Sequence, residues 1–485
     1  MDKTRLRLAP SPTGFLHLGN LRTALFGYLL AKSMGGQYIL RIEDTDQKRE
    51  VEGAIDSLIN ILSWVGISFD EGPNLGGKFG PYIQSQRLDI YKKHTDELLA
   101  KGGAYRCFCS AERLTKMREE QAAAHQAPRY DRACRNLSRE EVEARVANNE
   151  PFVIRQAMPL EGSVKVHDEL RGEIIWQAAD LEDHVLIKSD GVPTYQFASV
   201  VDDRLMKISH VTRGEEWLPS FPKNILLYQA FGWELPKFIH LPLILNKGGG
   251  KLSKRQGDVF VEDYKAKGYL PEALINFCAL LGWHPKSDKE IFSLQELEKE
   301  FNIEGLGVSP AIFDQDKLDY LNGYYIRQKS VEELTELCIP YLLNNKQQTT
   351  NNKPTDAELN HIKKVVALEQ ERLKNLSEIK ERTGFFFAEP EYEADLLIWK
   401  DLSREQVKNN LTELKTKIDE LADFSKLEEG IMSWLKETGK KNGDYLWPLR
   451  VALTGLKASP GPFEVALVLG KEKTLARLTA AINKL

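Results

Sequence analysis

The stretch PSPTGFLHLGN, residues 10–20, constrains the fold more than any other part of the chain. Before it stands the alternating segment TRLRLAP (4–10), which reads as a strand with Leu6 and Leu8 on one face and Arg5 and Arg7 on the other. After it, Leu21, Ala24, Leu25, Tyr28 and Leu29 fall at helical spacing, with Asn20 expected as the N-cap and Gly35-Gly36 as the stop. QYILRIEDTD (37–46) reads as a second strand running into acids. Strand, turn, helix, strand is a βαβ unit and implies a parallel sheet. Ligands on such sheets sit at the carboxyl ends of the strands, where residues 9–19 and 43–46 fall.

A helix N-terminus offers free N–H groups and a positive dipole end to an anion. Gly19 would allow a nucleotide close to the backbone, and His17 could donate to phosphate oxygens; a turn histidine with no ligand is the plainer alternative. A second loop, NKGGGKLSKRQGD (246–258), is not a Walker loop, because Leu245 and Leu252 stand where that pattern needs Gly and Ser or Thr. It reads as a glycine hinge carrying Lys251, Lys254 and Arg255, able to bring cations to a polyphosphate or to serve only as a basic surface loop.

Residues 105–190 change character, with cysteines, a charged helical stretch at 111–127 and short strand-like runs, as in an inserted α+β module. The parallel pattern resumes near PTYQFASVVDD (193–203) and ISHVTRGEEW (208–217). From about 325 the signals are helical, and DAELNHIKKVVALEQERLKNLSEIKERTG reads as continuous helix. NNKQQTTNNKP (344–354) is the best linker.

Together, HLGN (17–20), RIEDTD (41–46), VVDD (200–203), EEW (215–217), KLSKR (251–255) and ALTG (452–455) resemble the class I aminoacyl-tRNA synthetases and, within them, the bacterial glutamyl-tRNA synthetases. The resemblance runs from about residue 4 to the C-terminus. It implies an α/β fold: a Rossmann-type parallel-sheet catalytic domain with an inserted α+β acceptor-binding module, followed by an all-α anticodon-binding region. The expected divisions are 1–104 and 191–240 for the catalytic halves, 105–190 for the insert, 241–324 for the KLSKR loop and stem-contact region, and 325–485 for the helical region, split near 375.

The implied reaction activates L-glutamate with ATP, Mg²⁺ accompanying the nucleotide, to glutamyl-adenylate and diphosphate. The glutamyl group then passes to the 3′ end of tRNA(Glu), releasing AMP. The resemblance implies catalytic roles for His17, Asn20, Lys251 and Lys254, and ATP contacts from Pro12, Gly19, Glu216, Trp217 and Lys254. Arg7, Tyr195 and Arg213 would face the side-chain carboxylate of glutamate, with Ser11 and Glu43 at its ammonium end. Ser199 stands where many relatives carry a longer residue such as Asn, and is left out of the pocket. Arg372 aligns softly with an arginine that favours the glutamate anticodon; an ordinary exposed helical arginine is the alternative.

Cys107, Cys109 and Cys134 resemble a zinc site found in part of the family, whose fourth ligand is often a His two residues after the third Cys. That position is Asn136 here, leaving Tyr130 or His125 as a fourth ligand, or else three reduced structural thiols and no zinc.

Five sparse cysteines fit a reducing cytosol. No apolar run approaches the ~20 residues of a membrane span, and the N-terminus lacks a secretory h-region. A cytoplasmic protein without membrane contact is expected, and the family implies a monomer. Net charge is −5, yet residues 440–485 hold eight Lys/Arg against three acids, a basic face for phosphate or simply a solvated surface. A glutamyl-queuosine tRNA synthetase would lack the helical tail, and a glutaminyl enzyme would end in β-barrels. A catalytically inactive tRNA-binding paralogue is the remaining alternative, opposed by intact His17, Lys254, Arg7 and Arg213.

Overall fold

A computed structural model describes residues 3–12, 14–46, 51–252, 259–342 and 354–485. Ser253, Lys254 and Arg255 of KLSKR and most of the 344–354 linker lie outside the described residues. The described chain forms two compact units: one of residues 1–264 and 274–315, the other of 265–273 and 316–485.

In the first unit, strand Arg5–Leu8 pairs in parallel with Gln37–Leu40, and helix Leu18–Ser33 connects them. That helix is buried along nearly its whole length, from Leu18 through Ala31, as the short βαβ crossover requires. Its cap differs from the expectation. His17, not Asn20, is the N-cap: it is extended (φ −68°, ψ 141°) and its Nδ1 accepts the Gly19 N–H. Asn20 sits in the first turn, its own N–H bonded to His17 O at 2.8 Å.

Strand His210–Gly214 lies beside the first strand, Ser209 N–H donating to Arg5 O at 2.9 Å, and pairs in parallel with Lys237–Leu241. The 163–177 segment forms a hairpin, Ser163–Asp168 with Gly172–Gln177, and joins this sheet where Asp168 stands opposite Phe238. Between the resumed elements the expectation needs one change. Residues Tyr195–Leu205 are a helix, whose buried face includes Phe197, Ala198, Val200 and Val201, and only His210–Gly214 is a strand.

The insert builds a separate antiparallel sheet, Ala104–Cys107, Val153–Gln156 and Val185–Ile187, with two helices, Ala111–Ala123 and Arg139–Ala147, that bury no residue. Each is started by a serine N-cap, Ser110 and Ser138.

The second unit is helical among its described residues. The segment read as continuous helix breaks: Asp356–Glu369 ends in a 3-10 turn at Gln370–Arg372, Leu373 is extended, and Glu378–Phe387 restarts the helix. Asn and Ser side chains compete with helical bonding here. Ser377 Oγ donates to Asn375 Oδ1 at 2.7 Å, and Asn322 takes Lys374 O at 2.6 Å. The basic surplus at 440–485 is also not one free face. Arg477 is buried, its guanidinium donating to Leu453 O, Phe385 O and Ala388 O, and Arg450 holds Ser459 and Pro460 carbonyls.

Candidate active site

A cleft of about 280 Å³ opens at the carboxyl ends of the parallel strands. Its lining brings together eight of the expected residues: Arg7, Ser11, Asn20, Glu43, Tyr195, Arg213, Glu216 and Trp217. Strand ends supply Arg7 and Arg213, the chain beyond the second strand supplies Glu43, and the helix start supplies Asn20. Tyr195 packs on Trp217, ring centres 4.4 Å apart, closing one side. A neighbouring cleft shares Ser11, Glu43, Tyr195 and Trp217 and continues past Lys188, whose Nζ donates to Thr45 O at 3.2 Å.

The floor is a buried ion network. Arg7 Nε donates to Asp203 Oδ1 at 3.0 Å, and Arg41 reaches Asp203 at 2.7 Å and Glu43 at 2.9 Å. Arg87 meets Asp202 at 2.7 Å, and Tyr91 and Gln84 donate to the same carboxylate. Three guanidinium groups thus face three carboxylates, so the network is neutral as a set, which is the condition for burying it. Burial still pushes the Glu43 carboxyl up despite Arg41 and Arg7, whereas for Asp203 those two arginines overcome burial and hold it down.

Arg213 stands apart. It is 6% exposed, has no carboxylate partner among the described residues, and its Nη2 is buried without a hydrogen bond among them. Burial lowers its pKa, with Arg7 adding to the effect. A desolvated cation in this position favours an anionic ligand.

His17, half-buried, and Gly19 lie outside the cleft lining, beside its residues Leu16 and Asn20. His17 Nδ1 accepts from Gly19 N–H at 3.0 Å, so the neutral ring carries its proton on Nε2. Burial lowers its pKa, Leu252 opposes through a backbone bond, and Lys251 adds to the lowering. A Cβ on Gly19 would stand 3.3 Å from His17 Nδ1, a tight approach, so glycine eases the histidine's own fold-back, a reason apart from nucleotide approach. The turn pairs with the chain just past the second loop: Leu18 N–H donates to Val259 O at 2.8 Å, and Val261 N–H to Leu16 O at 2.9 Å. The glycine loop is a closed turn, Asn246 N–H to Gly250 O at 3.1 Å and Gly249 N–H to Asn246 O at 3.0 Å. Lys251, exposed, and buried Pro12 lie outside the cleft lining.

Cys107, Cys109 and Cys134 converge, their sulfurs all within 4.8 Å of one another. The Tyr130 hydroxyl lies 3.2 Å from Cys107 Sγ and 3.5 Å from Cys109 Sγ. Arg155 lies over the Tyr130 ring at 3.9 Å, and Arg113 donates to Cys109 Sγ at 3.3 Å. A thiol-rich donor set with cations beside it fits Zn²⁺. His125 belongs to no such cluster; it is exposed, in a left-handed conformation just past a helix end.

Arg372, far along the chain, is about a third exposed. Its Nη1 is buried without a hydrogen bond, with Glu369 Oε1 at 3.6 Å.

Sequence reasoning missed Arg41, Asp168, Asp202, Asp203 and His240. VVDD was legible as a motif, but which cation each acid meets depends on strands far apart in sequence.

A parallel sheet with a His-x-Gly-Asn turn at one strand end, and a Lys-Leu-Ser-Lys-Arg sequence later in the same unit, marks a class I tRNA synthetase. Residues 3–320 match the catalytic domain of class I tRNA synthetases (E and Q), and 333–482 match an anticodon-binding domain. The glutamate–tRNA ligases of Clostridium botulinum strain Hall and Clostridium tetani are each 46% identical, over 100% of this chain and 99% and 98% of theirs. A crystal structure of a glutamate tRNA ligase from Elizabethkingia meningosepticum in complex with its amino acid superposes with a TM-score of 0.89 at 38% identity, covering 99% of both chains. The glutamate–tRNA synthetase structure from Elizabethkingia anophelis gives 0.88 at 38%, over 99% and 100%. The chain belongs to the glutamate–tRNA ligase family.

Proposed function

We propose that the cleft carries the ligase reaction as follows. Glutamate lies with its side-chain carboxylate on Arg213, helped by Arg7 and the Tyr195 hydroxyl, and its ammonium group toward Glu43 and Ser11. One observation carries this reading: among the described residues, Arg213 is a buried pocket cation with no carboxylate partner beside an otherwise neutral network. An anionic side chain completes it; a neutral one leaves the guanidinium desolvated and unpaired.

A glutamate α-carboxylate oxygen attacks the α-phosphorus of ATP. The bond to the β-phosphate breaks, and diphosphate leaves. The carboxylate is already a nucleophile, so the protein supplies positioning and charge. His17 Nε2–H, Asn20 and the helix start at Gly19 face the phosphates, with Lys251 and Lys254 on the loop; Pro12 shapes the turn and Glu216 and Trp217 border the adenosine. Mg²⁺ accompanying the ATP would supply charge neutralisation at the phosphates. A terminal ribose hydroxyl of tRNA(Glu) then attacks the activated carbonyl carbon, and AMP leaves. The neighbouring cleft past Lys188 offers room for that end. The 105–190 module meets the acceptor stem, and the helical unit meets the anticodon.

Cys107, Cys109, Tyr130 and Cys134 would hold a structural Zn²⁺. Its chemistry is cross-linking: it ties the strand carrying Cys107 to the loop carrying Cys134. Arg372, about a third exposed beside Glu369, would read the base and so restrict charging to tRNA(Glu). ATP–diphosphate exchange that depends on glutamate, measured with tRNA present, tests the reading.

A further inference from the structure

Arg213 and His240 stand directly opposite each other on neighbouring parallel strands. Arg213 Nε donates to His240 Nε2 at 3.0 Å. A guanidinium only donates, so His240 Nε2 is the ring's acceptor and the proton sits on Nδ1. Nδ1 lies 2.7 Å from Asp168 Oδ2. Asp168 is itself held by three backbone donors: His240 N–H at 3.1 Å, and Leu170 and Arg171 N–H at 3.0 Å each. Both His240 and Asp168 are fully buried. Phe221 covers the pair, its ring 4.7 Å from the Arg213 guanidinium carbon and 4.6 Å from the imidazole. Asp168 thereby fixes the tautomer, the tautomer fixes the Arg213 Nε bond, and the rest of the guanidinium is left to the cleft that Arg213 lines.

We propose that His240, oriented by Asp168, is a positioning residue for glutamate: it holds Arg213 in the rotamer that presents its guanidinium to the side-chain carboxylate. The proposal rests on Arg213 being that carboxylate's partner. Burial, together with Arg213, keeps His240 neutral against the pull of Asp168, as an acceptor ring must be. The Arg213 Nε bond to His240 adds a directional hold to the Phe221 ring that lies against the guanidinium.

Two substitutions separate positioning from packing. Gln places its Oε1 where Nε2 stands and can still accept from Arg213. Asn reaches only as far as Nδ1, keeping the Asp168 side but losing Arg213. In tRNA-dependent charging, His240→Asn is expected to raise KM for glutamate ~10-fold or more with KM for ATP within about 2-fold. His240→Gln is expected to stay within about 3-fold of the parent on both. Adding His240→Asn to Arg213→Gln should raise KM no further. Equal effects of Asn and Gln, or a parallel rise in KM for ATP, would overturn the proposal and leave His240 a packing residue. If Arg213→Gln raises KM for glutamate while His240→Asn does not, the positioning role alone fails. If Arg213→Gln leaves KM for glutamate unchanged, the carboxylate assignment fails and takes this proposal with it.

Discussion

Arg7 and Asp203 meet in the floor of the cleft at 3.0 Å, each about 6% exposed in its side chain, so the charge of Arg7 is balanced before any ligand arrives. The same carboxylate serves Arg41 at 2.7 Å. Asp203→Asn removes one negative charge from beneath two buried guanidinium groups. A loss of about 3–5 kcal/mol in the stability of the catalytic unit is expected, read as a lower denaturant midpoint. A midpoint within experimental error of the parent would mean that the network does not hold the floor.

The thiol cluster predicts about one zinc per chain in protein purified without chelator. Cys134→Ser should lose most of that metal. Tyr130→Phe tests the fourth ligand and is expected to weaken retention against a competing chelator ~10-fold or more. Less than about a tenth of an equivalent in the parent protein would assign the cluster to reduced thiols instead.

His184 is buried with neither ring nitrogen hydrogen-bonded, and burial, with Lys223 and Arg155 nearby, pushes its pKa down to about 3. The unfolded chain takes up that proton near pH 6.5, while the folded chain resists until about 3. Stability is therefore complete above pH 7 and falls as pH drops through this window, by about 2 kcal/mol at pH 5. His184→Leu should flatten the difference in unfolding midpoint between pH 7 and pH 5. An unchanged difference would place the acid sensitivity elsewhere.

For Arg372, base reading predicts that Arg372→Gln relaxes the preference for glutamate tRNA. A fall of ~10-fold in the charging ratio of glutamate over glutamine tRNA is expected, within the ~1–3 kcal/mol that a base contact carries. Efficient charging of glutamine tRNA by the unaltered enzyme, or an unmoved ratio, would end that assignment.

The βαβ opening was legible because its signals are local: alternation at 4–10, helical spacing at 21–29 and a Pro/Gly turn between them. That Arg7, Ser11, Glu43, Tyr195 and Arg213 share one cleft was legible through the family resemblance, with strand alternation independently turning Arg7 away from the apolar face. Other features were not local. His17 caps the helix because Gly19 leaves room for its ring, and the Asn20 alternative looked equally good by composition. Tyr195–Leu205 alternates enough to pass for a strand, and only its packing makes it a helix. The break at 370–377 depends on Asn322, some fifty residues away, taking a carbonyl out of the helical ladder. His240 and Asp168 carry no motif at all, and they gain meaning only when strand register sets His240 opposite Arg213.

The most direct test of the account is glutamate-dependent charging by the parent enzyme and by Arg213→Gln, with glutamate, glutamine and aspartate compared and KM for ATP measured in parallel. The account predicts charging by the parent with glutamate alone. It also predicts a loss of ~10²-fold or more in kcat/KM for glutamate on substitution, with KM for ATP nearly unchanged. Retention of the parent's kcat/KM for glutamate by Arg213→Gln, or equal use of glutamine by the parent, would contradict it.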